Sequence, residues 1–344
     1  MPSLKEIKGR INSISSTLAI TSAMKMVAAA KLQKAQMAIQ NMLPYERRLH
    51  SMLIDLMGAV NMSAPASEEG SARLVSLSNQ PDHTESEGAY SLMAQRQVHR
   101  VAIVAFASNS SLCGAFNSNV IREATAVINE YRASGLGDAD ITVYSVGRKM
   151  AEAMKKLGFP SPADFTKMSD SPSYDAASAL AQELFDGFVS GRFDKVELVY
   201  NHYKSTSSQT TTRQTYLPLS LADATADLQA GKITDSASET DTNRVAEPVG
   251  APVVRQGSPT TEDLIVEPSK EALIATLLPK VIRLRIFTTL LDSAAAEHAA
   301  RTVAMQLATD NGNDLLQELT LEYNKGRQQK ITSEILDLVG GSMQ

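Results

Sequence analysis

The stretch Leu4-Lys-Glu-Ile7-Lys-Gly-Arg-Ile11-Asn-Ser-Ile14-Ser-Ser-Thr-Leu18-Ala-Ile-Thr21 decides the architecture, because its apolar or small residues return in alternating steps of three and four. The pattern continues through Ala28, Leu32, Ala35, Ile39 and Met42 to Leu49, Leu53, Leu56 and Val60, interrupted at Lys25 and Glu46. A seven-residue repeat held over about eight heptads predicts a coiled-coil helix. At about 1.5 Å per residue such a helix is roughly 80 Å long. No compact domain buries a rod of that length, so it requires a partner. Ser3 followed by Glu6 reads as a capping box at its start. Pro44 predicts a kink, since proline removes a helical hydrogen bond.

The partner is expected at the other end of the chain. Leu273, Leu277, Val281, Leu284 and Leu291, then Leu316, Leu319, Tyr323, Ile331, Ile335 and Leu338, again fall at helical spacing. Pro268 suits a first turn and Gly340-Gly341 a helix end. The reading is an antiparallel pair of terminal helices, 1–61 and 263–344, with everything else inserted between them.

The middle of the chain, 98–221, has a different period. Val98–Phe106, Ile141–Val146 and Asp194–Tyr200 are short runs rich in β-branched residues that read as buried strands. Helical patterns lie between them at Asn117–Arg132, Gly147–Leu157 and Tyr174–Val189. This alternation predicts a Rossmann-like α/β domain with a parallel sheet. Gln209–Leu219 adds an antiparallel edge strand. Two stretches, 62–97 and 222–262, are rich in Ser, Ala, Pro, Glu and Asp and read as acidic surface insertions, with a helical patch such as Leu221–Ala230 possible in the second.

Charge follows the same divisions. Residues 1–61 carry eight basic and three acidic side chains, whereas 98–221 carry twelve of each. The two insertions come to −3 and −4, and 263–344 to −3. A basic first segment suits nucleic acid, an anionic membrane or an acidic protein, with a solvated helix face as the ordinary alternative. A nucleic-acid adaptor predicts a basic surface throughout, which the later two-thirds of the chain lacks. No run of about 18 uncharged apolar residues occurs, and the first ten residues resemble neither a signal nor a transit peptide. The expected location is therefore the cytosol or the cytosolic face of something larger.

An α/β domain raises the possibility of a nucleotide enzyme. The loop after the first strand reads Ala107-Ser-Asn-Ser-Ser-Leu-Cys-Gly114, with no G-x-G-x-x-G, and no Walker-type phosphate loop occurs anywhere. The single cysteine, Cys113, excludes an internal disulfide and reads as a small core residue. The histidines at 50, 83, 99, 202 and 298 form no metal-ligand spacing, and Glu297-His298 reads as a polar flank. The sequence offers no self-contained active site, and no cofactor or metal is expected.

Both terminal helices carry longer motifs. Ile20-Thr-Ser-Ala-Met-Lys-Met-Val-Ala-Ala-Ala-Lys31 lies in the first. Glu297-His-Ala-Ala-Arg-Thr-Val-Ala-Met305, Ala308-Thr-Asp-Asn311, Glu318–Lys325 and Arg327-Gln-Gln-Lys-Ile-Thr-Ser-Glu-Ile-Leu-Asp-Leu-Val-Gly340 lie in the second. In these motifs the chain resembles the γ subunit family of F-type ATP synthases, strongly over 1–60 and 263–344 and more loosely over 98–220. The fragment Leu112-Cys-Gly114 adds to it.

The resemblance implies an asymmetric shaft turning inside a hexamer of alternating α and β subunits. The α/β foot would rest on an ε subunit and a membrane ring of c subunits. That assembly implies the cytoplasmic face of a bacterial plasma membrane, with the catalytic chemistry in the partners. It also implies rotor contacts at Met24, Lys25, Arg301, Gln328, Thr332 and Glu334, which meet each other or the surrounding β subunits. Three departures stand out. Asn109-Ser-Ser111 replaces the family's acidic, basic, glycine lead, Gly341 replaces an alanine, and the two acidic insertions are additions.

Overall fold

The computed structural model describes residues 3–62, 92, 96–219 and 270–341. The acidic stretches expected at 62–97 and 222–262, including the helical patch Leu221–Ala230, lie outside the described residues except for Met62, Leu92, Arg96 and Gln97. Two long helices, α1 (Leu4–Met62) and α6 (Lys270–Gly341), bracket an α/β foot. The foot runs β1 (Val101–Phe106), α2 (Phe116–Ala133), β2 (Ile141–Val146), α3 (Arg148–Lys156), α4 (Thr166–Asp170), α5 (Tyr174–Val189), β3 (Lys195–Tyr203) and β4 (Gln209–Leu217).

The heptad prediction describes α1 well. Ile7, Ala28, Leu32, Leu49, Leu53 and Leu56 are buried, and Leu4, Ile11, Ile14, Leu18, Thr21, Ala35, Ile39 and Met42 are half-buried. The Glu6 N–H donates to the Ser3 hydroxyl at 3.3 Å, the expected cap. At Pro44, the site of the expected kink, α1 continues as a single helix, as α6 does through Pro279. Packing explains this. Met42 and Leu49 flank Pro44 on the core face while the proline itself faces solvent. Leu278 and Val281 anchor the turn around Pro279.

The two helices run antiparallel in a constant register. Leu4 lies against Gly326 and Leu18 against Gly312, fourteen residues apart on each helix. Further along, Thr309 donates to the Thr21 hydroxyl at 3.0 Å, and Leu32 packs on Ala295 and Ala299. Thr288 then donates to Glu46 at 3.0 Å. Equal steps on both helices are what a heptad seam produces. Past Gly326 α6 has outrun the start of α1. Ile331, Ile335 and Leu338, predicted to lie on a paired face, are consequently exposed.

The sheet order is β2-β1-β3-β4, with β1 parallel to both neighbours and β4 antiparallel to β3. Both faces are covered, which explains why the strands read as continuous apolar runs. On one face α2 and α3 supply Val120, Val127, Ile128, Met150 and Met154. On the other, α5, the lower part of α6 and the end of α1 supply Leu180, Leu184, Leu278, Ile286, Leu49 and Leu53. The shaft therefore grows directly out of the core of the foot.

Two local features fix the sheet. The first strand, read as starting at Val98, begins at Val101, because the Asp194 carboxylate takes the N–H groups of His99 and Arg100 at 3.0 and 2.8 Å. Gly147 joins β2 to α3 at a φ of 96°, where a Cβ would stand 2.0 Å from the Ala107 carbonyl oxygen. No other residue fits there.

Candidate functional site: the shaft and its seat on the foot

The loop after β1 sits where a phosphate loop would in a nucleotide-binding domain, and side chains of the chain itself fill it. The Ser108 N–H and hydroxyl both donate to Asn117 Oδ1 at 3.0 Å, and the same hydroxyl lies 2.6 Å from the Ser110 carbonyl. Asn109 accepts from the Arg148 N–H at 2.7 Å and donates to the Thr166 carbonyl at 2.7 Å. Cys113 is buried, with the Asn117 amide donating to its sulfur at 3.1 Å, as expected of a core thiol. Leu112 is left at a φ of 69° with its side chain 59% exposed.

Arg301 ties this loop to the shaft. Its guanidinium donates to the Ser110 hydroxyl at 2.7 Å and to Glu297, one turn earlier on α6, at 2.6 Å. Ser110 is one of the departures from the family pattern, and the arginine uses its hydroxyl. Burial raises the Glu297 carboxyl above its ordinary range, and the Arg301 charge opposes that rise. Beside them burial lowers the His298 imidazole to about 4, helped by the charges of Arg301 and Lys31. Charge at the seat is thus concentrated in one ion pair, with the histidine held neutral.

The six expected contact residues fall at three separate levels of the rod. Met24 and Lys25 are half-buried on α1, between the Thr21–Thr309 and Leu32–Ala299 contacts. Arg301 lies lower, at the foot. Gln328, Thr332 and Glu334 are exposed on α6 beyond Gly326, which faces Leu4. Twenty helical residues, roughly 30 Å, separate Met24 from that level. Of the six, Thr332 meets Gln328, its hydroxyl donating to the Gln328 carbonyl at 2.9 Å; the three levels are otherwise separate.

Residues that the sequence reading passed over mark the joint between sheet and shaft. Tyr203, at the end of β3, receives a hydrogen bond on its hydroxyl from Gln36 of α1 at 2.6 Å. Its N–H donates to Asp292 of α6 at 2.9 Å, and His202 Nδ1 lies 2.6 Å from the other Asp292 oxygen. That bond raises the His202 pKa above its ordinary value, outweighing burial. No sequence pattern flags these residues, since they meet across more than 80 positions.

Deeper in the foot, Glu197 is 1% exposed yet accepts from Tyr131 at 2.6 Å, Lys195 at 2.6 Å and Arg213 at 2.7 Å. Burial pushes its carboxyl up, and these three partners together hold it below the usual range. Arg213 also pairs with Glu130 of α2. The cluster is internally satisfied and braces α2 against β3 and β4.

Comparison with known proteins places these features in a family. A family model described as ATP synthase matches residues 3–343. An ATP synthase gamma chain of Phocaeicola vulgatus is 49% identical over 343 residues, covering all of both chains. That of Bacteroides thetaiotaomicron is 47% identical, again over the whole of both. That of Flavobacterium johnsoniae is 36% identical over 99% of this chain and 98% of its own. In fold, a chain of the Euglena gracilis mitochondrial ATP synthase (OSCP/F1/c-ring, rotational state 3) superposes with a TM-score of 0.55 at 18% identity, covering 99% of this chain and 93% of that one.

Proposed function

The chain belongs to the ATP synthase γ-chain family and is a central-stalk rotor subunit of an F-type ATP synthase, and from that premise we propose how it turns and what it touches. The α1–α6 rod is the part that rotates inside a sleeve of alternating α and β subunits. The foot rests on ε and on the c ring at the cytoplasmic face of a bacterial plasma membrane. Proton flow turns the ring, the ring turns the foot, and the rod presents a different face to each catalytic β subunit in turn. The chain itself contributes no catalytic group. Bond making and breaking belong to its partners.

One observation carries this reading. The rod extends away from the foot with Ile20, Met26, Val27, Leu307, Leu321 and Leu336 exposed along it. Large apolar side chains scattered around a rod, with no complementary element over them among the described residues, suit a shaft lined by other subunits. No helix among the described residues is long and apolar enough to cross a membrane, which fits a peripheral subunit. Met24, Lys25, Arg301, Gln328, Thr332 and Glu334 are the proposed points at which shaft and seat govern coupling.

A tag on this chain tests the assembly. It should recover α, β, ε and the c ring from detergent-solubilised membranes, with proton pumping restored on reconstitution. Recovery of the chain free of those subunits overturns the reading. So does ATP turnover by the purified chain alone that a point change in its foot abolishes.

A further inference from the structure

A rotor must pass torque from its foot into two helices at once, and Tyr203 of the foot is bonded to both. We infer that Tyr203, held by Gln36 and Asp292, is a torque-bearing positioning residue that locks the foot's central sheet to both helices of the shaft; this rests on the rotor reading above.

The geometry is specific. β3 pairs with strands on both sides, so force on the sheet converges on it. At its end, three consecutive residues still paired with β4 also bind other elements. Asn201 donates to the Phe116 carbonyl at the start of α2 at 3.0 Å. His202 and the Tyr203 N–H occupy the two oxygens of Asp292 on α6. The Tyr203 hydroxyl reaches α1 through Gln36. Its ring packs with Leu32 of α1 and with Ala295, Ala296 and Ala299 of α6. Small alanines let the ring sit between the helices, and a ring with only two rotatable bonds transmits force with little slack. The bonds pull in different directions, so a twist of the foot in either sense loads at least one of them.

A joint of this kind matters under load and not at rest. Removing one half-buried hydrogen bond weakens a contact by about fivefold in population. The loss is felt when the rotor works against an opposing proton gradient. A packing defect instead lowers assembly or hydrolysis regardless of the gradient.

The test uses the reconstituted complex with Tyr203→Phe, Gln36→Ala and the double variant. Tyr203→Phe keeps the ring and deletes only the hydroxyl. Each single variant should hydrolyse ATP at the parental rate. Each should also pump about two- to fivefold fewer protons per ATP at the steepest gradient, with little change at zero gradient. The double variant should lose no more than either single one, because both remove the same bond. Asp292→Asn, which drops the charge and keeps one acceptor oxygen while the other becomes an NH2 donor, should also show a load-dependent loss. Parental pumping per ATP under load in all four variants overturns the inference, as does a loss equal at all gradients. A parental complex that hydrolyses without pumping, or lacks this chain, overturns the rotor reading instead.

Discussion

Leu18 occupies the notch that Gly312 leaves in α6. A Cβ on Gly312 would stand 2.6 Å from Leu18 Cδ2 and 3.2 Å from its Cγ. The glycine's poor helix propensity, about 1 kcal/mol relative to alanine, is accepted here in return for bringing the helices close. Gly312→Ala should therefore fail to give the usual gain and should lower the stability of the chain by about 1 kcal/mol. In a Leu18→Ala background the same change should turn stabilising by a similar amount. Urea unfolding of the four variants reads this as a change of sign.

Arg301 is predicted to be a structural partner first. With Arg301→Ala, the buried Glu297 loses its counter-charge, an arrangement that costs about 3 kcal/mol when broken. Its carboxyl, already raised by burial, should rise further, because the charge opposing that rise is gone. A raised acid favours the folded state only while protonated, so stability of the variant should fall as pH rises past the ordinary Glu value near 4.5. Adding Glu297→Gln should recover most of the loss and flatten the pH dependence. Thermal melts between pH 4 and 8 check both points.

His202 gives a second test of the same sign, at higher pH. Its pKa is raised by Asp292 above the ordinary histidine value of 6.5. Its contribution is therefore complete below that value and is lost as pH climbs through the raised one. The pair is partly exposed, so the effect should stay below about 1 kcal/mol. His202→Gln should flatten this decline by lowering the melting temperature on the acid side while leaving the alkaline side unchanged.

Met24 tests the shaft in its sleeve. Met24→Lys would set a second cation beside Lys25 on the half-buried face and strengthen contact with acidic residues of a β subunit. Hydrolysis should persist, with pumping per ATP reduced at least twofold. Parental coupling at equal hydrolysis would make Met24 simple packing. At the tip, where Thr332 and Glu334 are exposed, substitution should leave the stability of the free chain within about 0.5 kcal/mol and alter coupling only in the complex.

Periodicity was enough to reveal the rod, because the seam is written in every heptad from Leu4 to Leu56. It carried no information on register, so the overhang of α6 past Gly326 was invisible. Ile331, Ile335 and Leu338 accordingly looked like core. The strands were legible for the same kind of reason, being buried on both faces. The true start of β1 depended on Asp194, more than 90 residues away. Pro44 and Pro279 end neither helix, because packing on both sides of each holds its turns in place. The contacts of Arg301 with Ser110 and of Tyr203 with Gln36 are long-range polar pairs of ordinary residues. Nothing local marks such pairs.

The overhang of α6 has a consequence for timing. Among the described residues the rod from Gly326 to Gly341 is one helix, not two, and a lone helix of that length is marginal in water. Its final turns are therefore at their most regular when something encloses them. A two-helix rod is roughly alike seen from opposite sides, but a tip carried by only one of its helices lies off the common axis. It acts as the hand of a clock. In the assembly proposed above, the direction in which the hand points would set the phase of the subunits around it.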